Sequence, residues 1–282
     1  MSLLTSAPTI ETMHRFYLPP ERCAGYALRL DGREAHHALH VLRLKRGDAV
    51  TVLDGAGHEY SCEVESAAKD FLTLAVKDKK FTAPLPCSIS LLQAVPKGKI
   101  IESIIQKSVE LGAWCVVPIL SERVVMQLDG DDAEKKRDKW QQVAIEAIKQ
   151  CGATWLPKIE APVTIEQFLA RSGVSAERRN SPENESSGSL PKAATHFDLL
   201  LVGSLQPERR HPREVLRDFE KQHGRMPKSV GVWTGPEGDF TLDELKAIQA
   251  AGAQPISLGQ LVLRVETATI YCLSFLNYEL QA

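Results

Sequence analysis

Val230-Gly231-Val232-Trp233-Thr234-Gly235-Pro236-Glu237-Gly238-Asp239-Phe240-Thr241 is the stretch from which the fold is read. Its opening is an unbroken apolar run, the pattern of a strand buried on both faces of a parallel sheet. The run breaks at Gly-Pro-Glu-Gly, and Thr241-Leu242-Asp243-Glu244 then carries a capping-box pattern that predicts a helix over residues 242–251. Strand, glycine turn and helix in that order leave bare backbone at the carboxyl end of a strand, where α/β sheets hold ligands. A tight strand-to-helix turn with no ligand would be written in the same letters.

Two further strand ends repeat the design. A strand over 254–258 runs into Leu258-Gly259-Gln260-Leu261-Val262-Leu263-Arg264-Val265-Glu266-Thr267-Ala268, and the last helix is expected over 266–280. A strand over 198–203 closes in Leu200-Leu201-Val202-Gly203. Three strand ends that each stop at glycine argue for one shared pocket more strongly than any of them alone. The sequence has neither G-x-x-x-x-G-K-[ST] nor a G-x-G-x-x-G after its first strand, so neither a P-loop nor the usual dinucleotide fingerprint is present. An apolar lining from Leu201, Leu258 and Leu263, with backbone donors around it, suits an adenosine with an amino-acid tail better than a polyphosphate.

Outward from these ends the same rhythm continues. Residues 88–95 and 114–120 read as strands. Residues 99–111 read as a helix with Ile100, Ile101, Ile104, Ile105 and Ser108 on one face, closed by Gly112. A second amphipathic helix is expected over 131–150 with Trp140, Val143, Ala144, Ala147 and Ile148 inward, and others over 213–223 and 242–251. Strands that alternate with helices predict a mostly parallel sheet covered on both faces. Residues 173–196, rich in Ser, Glu, Asn, Pro and Arg, are expected to form a flexible surface insertion.

Before residue 83 the pattern differs. Residues 49–53, 59–64 and 71–76 read as short strands, Asp54-Gly55-Ala56-Gly57 as a turn, and 34–42 as one short helix. A small β-barrel over 14–82 would leave no bare sheet edge. Thr82-Ala83-Pro84-Leu85-Pro86 is Pro-rich, so 83–87 is expected to be a stiff linker, with 88–282 as the larger domain and 1–13 as a loose extension.

Composition narrows the class of protein. The chain has 282 residues, 43% hydrophobic and 25% charged, in the range of globular domains. No apolar run nears the roughly 18 residues of a membrane helix, and the start has no basic-then-apolar segment of the secretory kind. Six cysteines, none in a C-x-x-C pair, fit idle thiols in a reducing cytosol, with no metal. The formal charge is only −2, but residues 13–48 carry seven Lys/Arg against four acids, with four histidines among them. A locally basic segment of this kind fits contact with RNA phosphates, or a solvated face.

In combination, four groups of motifs are recognisable. Gly235-Pro236-Glu237-Gly238 is one, and Leu258-Gly259 followed by Leu263-Arg264-Val265-Glu266-Thr267-Ala268 is another. Gln106-Lys107-Ser108-Val109-Glu110-Leu111-Gly112 and Ser121-Glu122-Arg123 complete the set. Together they resemble the RsmE family, the bacterial 16S ribosomal RNA uridine-N3 methyltransferases of the SPOUT superfamily. His14-Arg15-Phe16-Tyr17 and His40-Val41-Leu42-Arg43 are similar to that family's PUA-like N-terminal domain. The resemblance implies a trefoil-knotted catalytic domain, S-adenosylmethionine bound in bent form, and a cytoplasmic homodimer that contacts ribosomal RNA of the small subunit from both chains. On that basis the cofactor site is expected at Leu201, Val202, Gly203, Gly235, Pro236, Glu237, Gly238, Leu258, Gly259, Leu263, Thr267 and Ala268.

Methylation at uracil N3 requires loss of a proton and stabilisation of the anion left behind. Arg264 is the expected stabiliser, and Glu266 the proton acceptor or orienting group. A pair between the two, or Glu266 as a helix cap, would account for them equally. Arg15, Arg43, Lys97, Lys99 and Arg123 are the expected RNA contacts. Three positions depart from the family's pattern: Asp239 stands for a glycine, and Ala153 and Leu261 for arginines. The missing arginines leave open a methyltransferase acting on another RNA nucleotide, or an RNA-binding protein that has lost catalysis.

Overall fold

A computed structural model describes residues 14–123, 130–171 and 197–281. The expected insertion over 173–196 and the N-terminal extension over 1–13 lie outside the described residues. The chain divides between Ala83 and Pro84 into two compact units.

The first unit contains β1 (His14–Tyr17), β2 (Ala27–Leu30), α1 (Gly32–His36), β3 (Ala49–Leu53), β4 (His58–Ala67) and β5 (Leu72–Phe81). The single helix expected over 34–42 is α1 followed by a π-helical turn over His37–Val41. The strands form one sheet in the order β1-β3-β4-β5-β2. Period-two alternation sends Val50, Val52, Tyr60, Cys62, Val64, Leu72 and Leu74 inward, where they meet Phe16, Leu28, Leu30 and Ala38. The β4–β5 ladder shifts register at Ser61/Cys62 and at Val64/Ser66, and such shifts bend a ribbon more strongly than regular pairing does.

The second unit begins with β6 (Ser88–Ala94), α2 (Ile100–Glu110), β7 (Cys115–Leu120) and α3 (Gly130–Cys151). Short pieces follow: β8 (Lys158–Ile159), β9 (Val163–Thr164) and α4 (Ile165–Arg171). After the undescribed segment come β10 (Leu199–Gly203), α5 (Pro212–His223), β11 (Ser229–Thr234), α6 (Leu242–Ala250), β12 (Gln254–Ile256) and α7 (Val265–Leu280). The sheet order is β12-β10-β11-β6-β7-β8, every pair parallel, with β9 also on β7. One core layer joins Leu92, Val117, Val202 and Trp233 to Phe168 of α4 and to Leu245 and Ile248 of α6. The alternate positions face the other way, where α7 meets β6, β11 and α2. The sheet is therefore covered on both faces, as the unbroken apolar strands require.

The strand expected over 254–258 stops at Ile256, and on its other edge Arg210 forms an isolated parallel bridge, with the Ser257 N–H donating to the Arg210 carbonyl at 2.8 Å. Among the described residues no helix is long and apolar enough to cross a membrane. Five of the cysteines are buried and Cys151 is exposed; burial pushes the thiols of Cys23, Cys87, Cys115 and Cys272 up to about 12.

Candidate active site

β12, β10 and β11 are neighbours in the sheet, so their carboxyl ends emerge side by side. Gly203, Gly235 and Gly259, which close those three ends, all line one cavity of about 470 Å³. That volume lies within the range of small-molecule sites. Gly259 has φ of +109°, a conformation open in practice only to glycine, and with it the chain turns from β12 into the loop that roofs the cavity. Ser257 fastens this turn: its hydroxyl donates to the Gly259 carbonyl at 3.3 Å.

The structure distributes the expected site residues unevenly. Gly203, Gly235, Pro236, Glu237, Leu258, Gly259, Leu263, Arg264, Glu266 and Ala268 line the cavity. Leu201 and Val202 do not, because both side chains are fully buried within the sheet. Gly238 and Thr267 also lie off the lining, Gly238 because it faces Arg123 and Thr267 because it is exposed on the first turn of α7. The sequence reading did not assign Ile100, Ser204, Leu205, Asp239, Leu261, Val262 or Val265 to the pocket, yet all of them line it. Leu261 and Val262 are each 78% exposed, an uncommon state for adjacent branched apolar residues, and their apolar run after Gly259 was the available signal.

The polar side chains of the cavity are poised differently from one another. Arg264 occupies the N-cap position of α7, and no side chain caps that helix. Its guanidinium and the Glu266 carboxylate have no partner among the described residues, so neither a mutual pair nor a Glu266 cap occupies them. The first N–H groups of α7 are thus left open beside the pocket. Glu237 accepts the Lys97 N–H on Oε1 at 3.0 Å, which ties the glycine turn to the loop after β6. Asp239 holds φ of +60° and accepts the Phe240 N–H on Oδ1 at 2.8 Å. Burial raises its carboxyl above the usual range, against the lowering effect of that N–H and of Arg123.

Beneath the cavity lies a buried polar cluster. Gln93 of β6 accepts the hydroxyls of Thr234 at 2.7 Å and Thr269 at 2.6 Å on the same Oε1. Its Nε2 donates to the Ala94 carbonyl at 2.8 Å. One amide thereby joins the strand before the Lys97 loop, the strand before the glycine turn, and α7.

The expected RNA contacts fall in both units. In the first, Arg43 is exposed with φ of +56°, and Arg15 on β1 is half-buried. In the second, Lys97 and Lys99 are exposed on the loop that leads into α2. Arg123 is engaged within the protein: its Nη1 donates to the Gly238 carbonyl and, at 3.4 Å, to that of Asp239.

A parallel sheet whose strand tips enclose an apolar cavity, with an open helix start at its rim, defines a ligand-binding α/β domain, here joined to a small β domain. Residues 83–277 match the RNA methyltransferase domain, and residues 30–77 match the RNA methyltransferase PUA domain. The chain belongs to the ribosomal RNA small subunit methyltransferase E family of RNA methyltransferases. The ribosomal RNA small subunit methyltransferase E of Synechocystis is 30% identical over 98% of this chain and 81% of its own. Its namesake from Bacillus subtilis is 29% identical over 89% of each. A putative methyltransferase from Legionella pneumophila, solved with bound S-adenosylmethionine, superposes with a TM-score of 0.76 at 28% identity, covering 95% of this chain and 98% of that one.

Proposed function

We propose that this protein transfers a methyl group from S-adenosylmethionine to N3 of a uridine in 16S ribosomal RNA of the small subunit. The observation that carries the reading is the convergence of three glycine-ended strand tips on one cavity lined also by Arg264 and Glu266, neither of which has a partner among the described residues. Family membership supplies the class of substrate.

The residues present fit the methyl donor. The apolar walls from Leu258, Leu263 and Ala268 suit an adenine, and the backbone of Gly203, Gly235 and Gly259 can approach it without a side chain between. The uncapped N–H groups that open α7 suit the carboxylate of an amino-acid tail. Leu201 and Val202 would act indirectly by holding β10 in place, and Thr267 offers a hydroxyl at the helix start. When bound, the cofactor supplies an electrophilic methyl on a sulfonium. Arg264 then stabilises the negative charge that develops on the uracil as its N3 proton leaves. Glu266 accepts that proton or orients the base. The target base must be exposed from pairing and stacking to reach the cavity, which favours a loop or extruded nucleotide. Arg15, Arg43, Lys97 and Lys99 would bind phosphates and hold the RNA in register.

The knotted topology and a closed barrel in the first unit are part of this reading, as is action in the cytoplasm. So is a homodimer, supported by Tyr271 and Tyr278, which stand 47% and 72% exposed along one face of α7. The test is methyl transfer from S-adenosylmethionine to small ribosomal subunits, with the product nucleoside identified by mass spectrometry. 3-Methyluridine is the expected product. A different methylated nucleoside would move the enzyme to another target, and no product at all would leave an RNA-binding protein.

A further inference from the structure

We infer that Arg123 is a positioning residue for the cofactor loop, clasping the Gly-Pro-Glu-Gly-Asp turn from outside the cavity so that the turn can hold the methyl donor. The inference rests on the reading of that cavity as the S-adenosylmethionine site.

The clasp begins with a buried carboxylate. Glu244, 4% exposed, uses Oε2 to accept the Thr241 N–H at 2.8 Å, while the Thr241 hydroxyl accepts the Glu244 N–H at 3.2 Å. This closes the capping box of α6. The other oxygen, Oε1, accepts the Glu122 N–H at 2.8 Å. One side chain therefore fixes both the start of α6 and the backbone immediately before Arg123. Both carboxylate oxygens are engaged by charge-assisted bonds, which are the stronger kind.

From that anchored backbone the Arg123 side chain reaches over Gly238. Its Nη1 donates to the carbonyls of Gly238 and Asp239. A Cβ at position 238 would stand 3.3 Å from Arg123 Cδ and 3.4 Å from Nη1, so the arginine packs closely over the bare backbone there and would have to shift by a few tenths of an ångström to admit a side chain. Neither Gly238 nor Arg123 lines the cavity, whereas Glu237 and Asp239 on either side of Gly238 do. The turn is gripped at its other end by the Lys97 N–H on Glu237. Two neighbouring strand exits, after β6 and after β7, thus hold the turn between them. The guanidinium also faces Asp239, whose half-buried carboxylate is favoured by the nearby cation. Both bonds commit Nη1 to the turn, and the salt dependence of RNA binding reads whether the rest of the guanidinium also meets phosphate.

The test uses the full chain with Arg123→Ala and Arg123→Lys. Calorimetry reads S-adenosylmethionine affinity, filter binding over a salt series reads RNA affinity, and steady-state kinetics separates kcat from KM for the donor. Losing a charge-assisted clasp is expected to raise the donor Kd and KM about tenfold in Arg123→Ala. The kcat at saturating donor and the salt slope of RNA binding should stay at wild-type values. Arg123→Lys keeps the charge for a phosphate but loses the guanidinium fork. It is therefore expected to weaken donor binding at an unchanged salt slope, which keeps the test open if Arg123→Ala fails to fold. Wild-type donor affinity in either variant, or a salt slope lowered by about one unit in Arg123→Ala, overturns the clasp in favour of a phosphate contact. A wild-type protein that binds no S-adenosylmethionine would instead sink the reading of the cavity itself.

Discussion

Asp239 is a non-glycine residue held in left-handed backbone, at φ of +60°. Left-handed backbone favours glycine, and aspartate is among the few alternatives, since its short side chain can bond to local backbone. Here it does so through the Phe240 N–H. Burial nevertheless raises its carboxyl pKa in the folded state. The folded chain thus binds that proton more tightly than the unfolded chain, so stability falls as pH rises from the ordinary value of about 3.9 through the raised one. Asp239→Asn keeps the acceptor and the left-handed tolerance while removing the charge. It should melt above wild type at pH 7, with the gap closing on acidification, as followed by circular dichroism across a pH series; a gap independent of pH would contradict this origin. Arg264 offers the other prediction at this scale. With its guanidinium at the cavity and without a partner among the described residues, Arg264→Ala should lower kcat about 10²-fold and leave donor affinity near wild type. Unchanged turnover on ribosomal RNA would remove it from the anion-stabilising role.

At the scale of elements, the cavity depends on β6, β11 and α7 keeping their mutual positions. The Gln93–Thr234–Thr269 cluster is the polar bolt between them. Thr269→Val removes one hydroxyl from a buried cluster in which Gln93 Oε1 keeps the Thr234 hydroxyl, so a loss of about 0.5–1.5 kcal/mol is expected from urea unfolding. Thr269→Ser should restore most of it, and equal stability of the valine variant would mean the bond contributes little. The long elements were legible because their periods are long. The α2 face at Ile101, Ile104, Ile105 and Ser108 is buried as its spacing predicts, although Ile100 lies at the cavity instead. β8 and β9 were not legible, since two residues carry no period. α4 was missed beside them. The Arg210 backbone that pairs with β12 on its other edge comes from a distant loop, which no local pattern encodes.

At the scale of the whole molecule, the chain divides into two compact units, each with its own core. Exposed Arg43 belongs to the first unit and the cavity to the second. Arg43→Ala should therefore weaken RNA binding and lower its salt slope by about one unit, with S-adenosylmethionine affinity unaltered. A slope that does not move would assign Arg43 to a solvated surface. The α/β class and the three glycine tips were readable because burial writes unbroken apolar strands and sharp turns need glycine. Which side chains reach the cavity was less readable: Leu201 and Val202 point into the sheet, and Ser204, Leu205 and Val262 come to the lining only through loop paths. The engagement of Arg123 with Gly238 joins residues 115 positions apart, beyond the reach of any local signal.

The central claim is that the cavity among those three tips holds the methyl donor. Calorimetric titration of S-adenosylmethionine into the wild-type chain and into Ala268→Trp, which places an indole in the cavity, tests it most directly. The account predicts saturable binding to the wild type, with Kd in the micromolar range of about 1 μM–1 mM, and its loss in a folded Ala268→Trp. No heat with the wild type, or equal binding by the filled cavity, would contradict it.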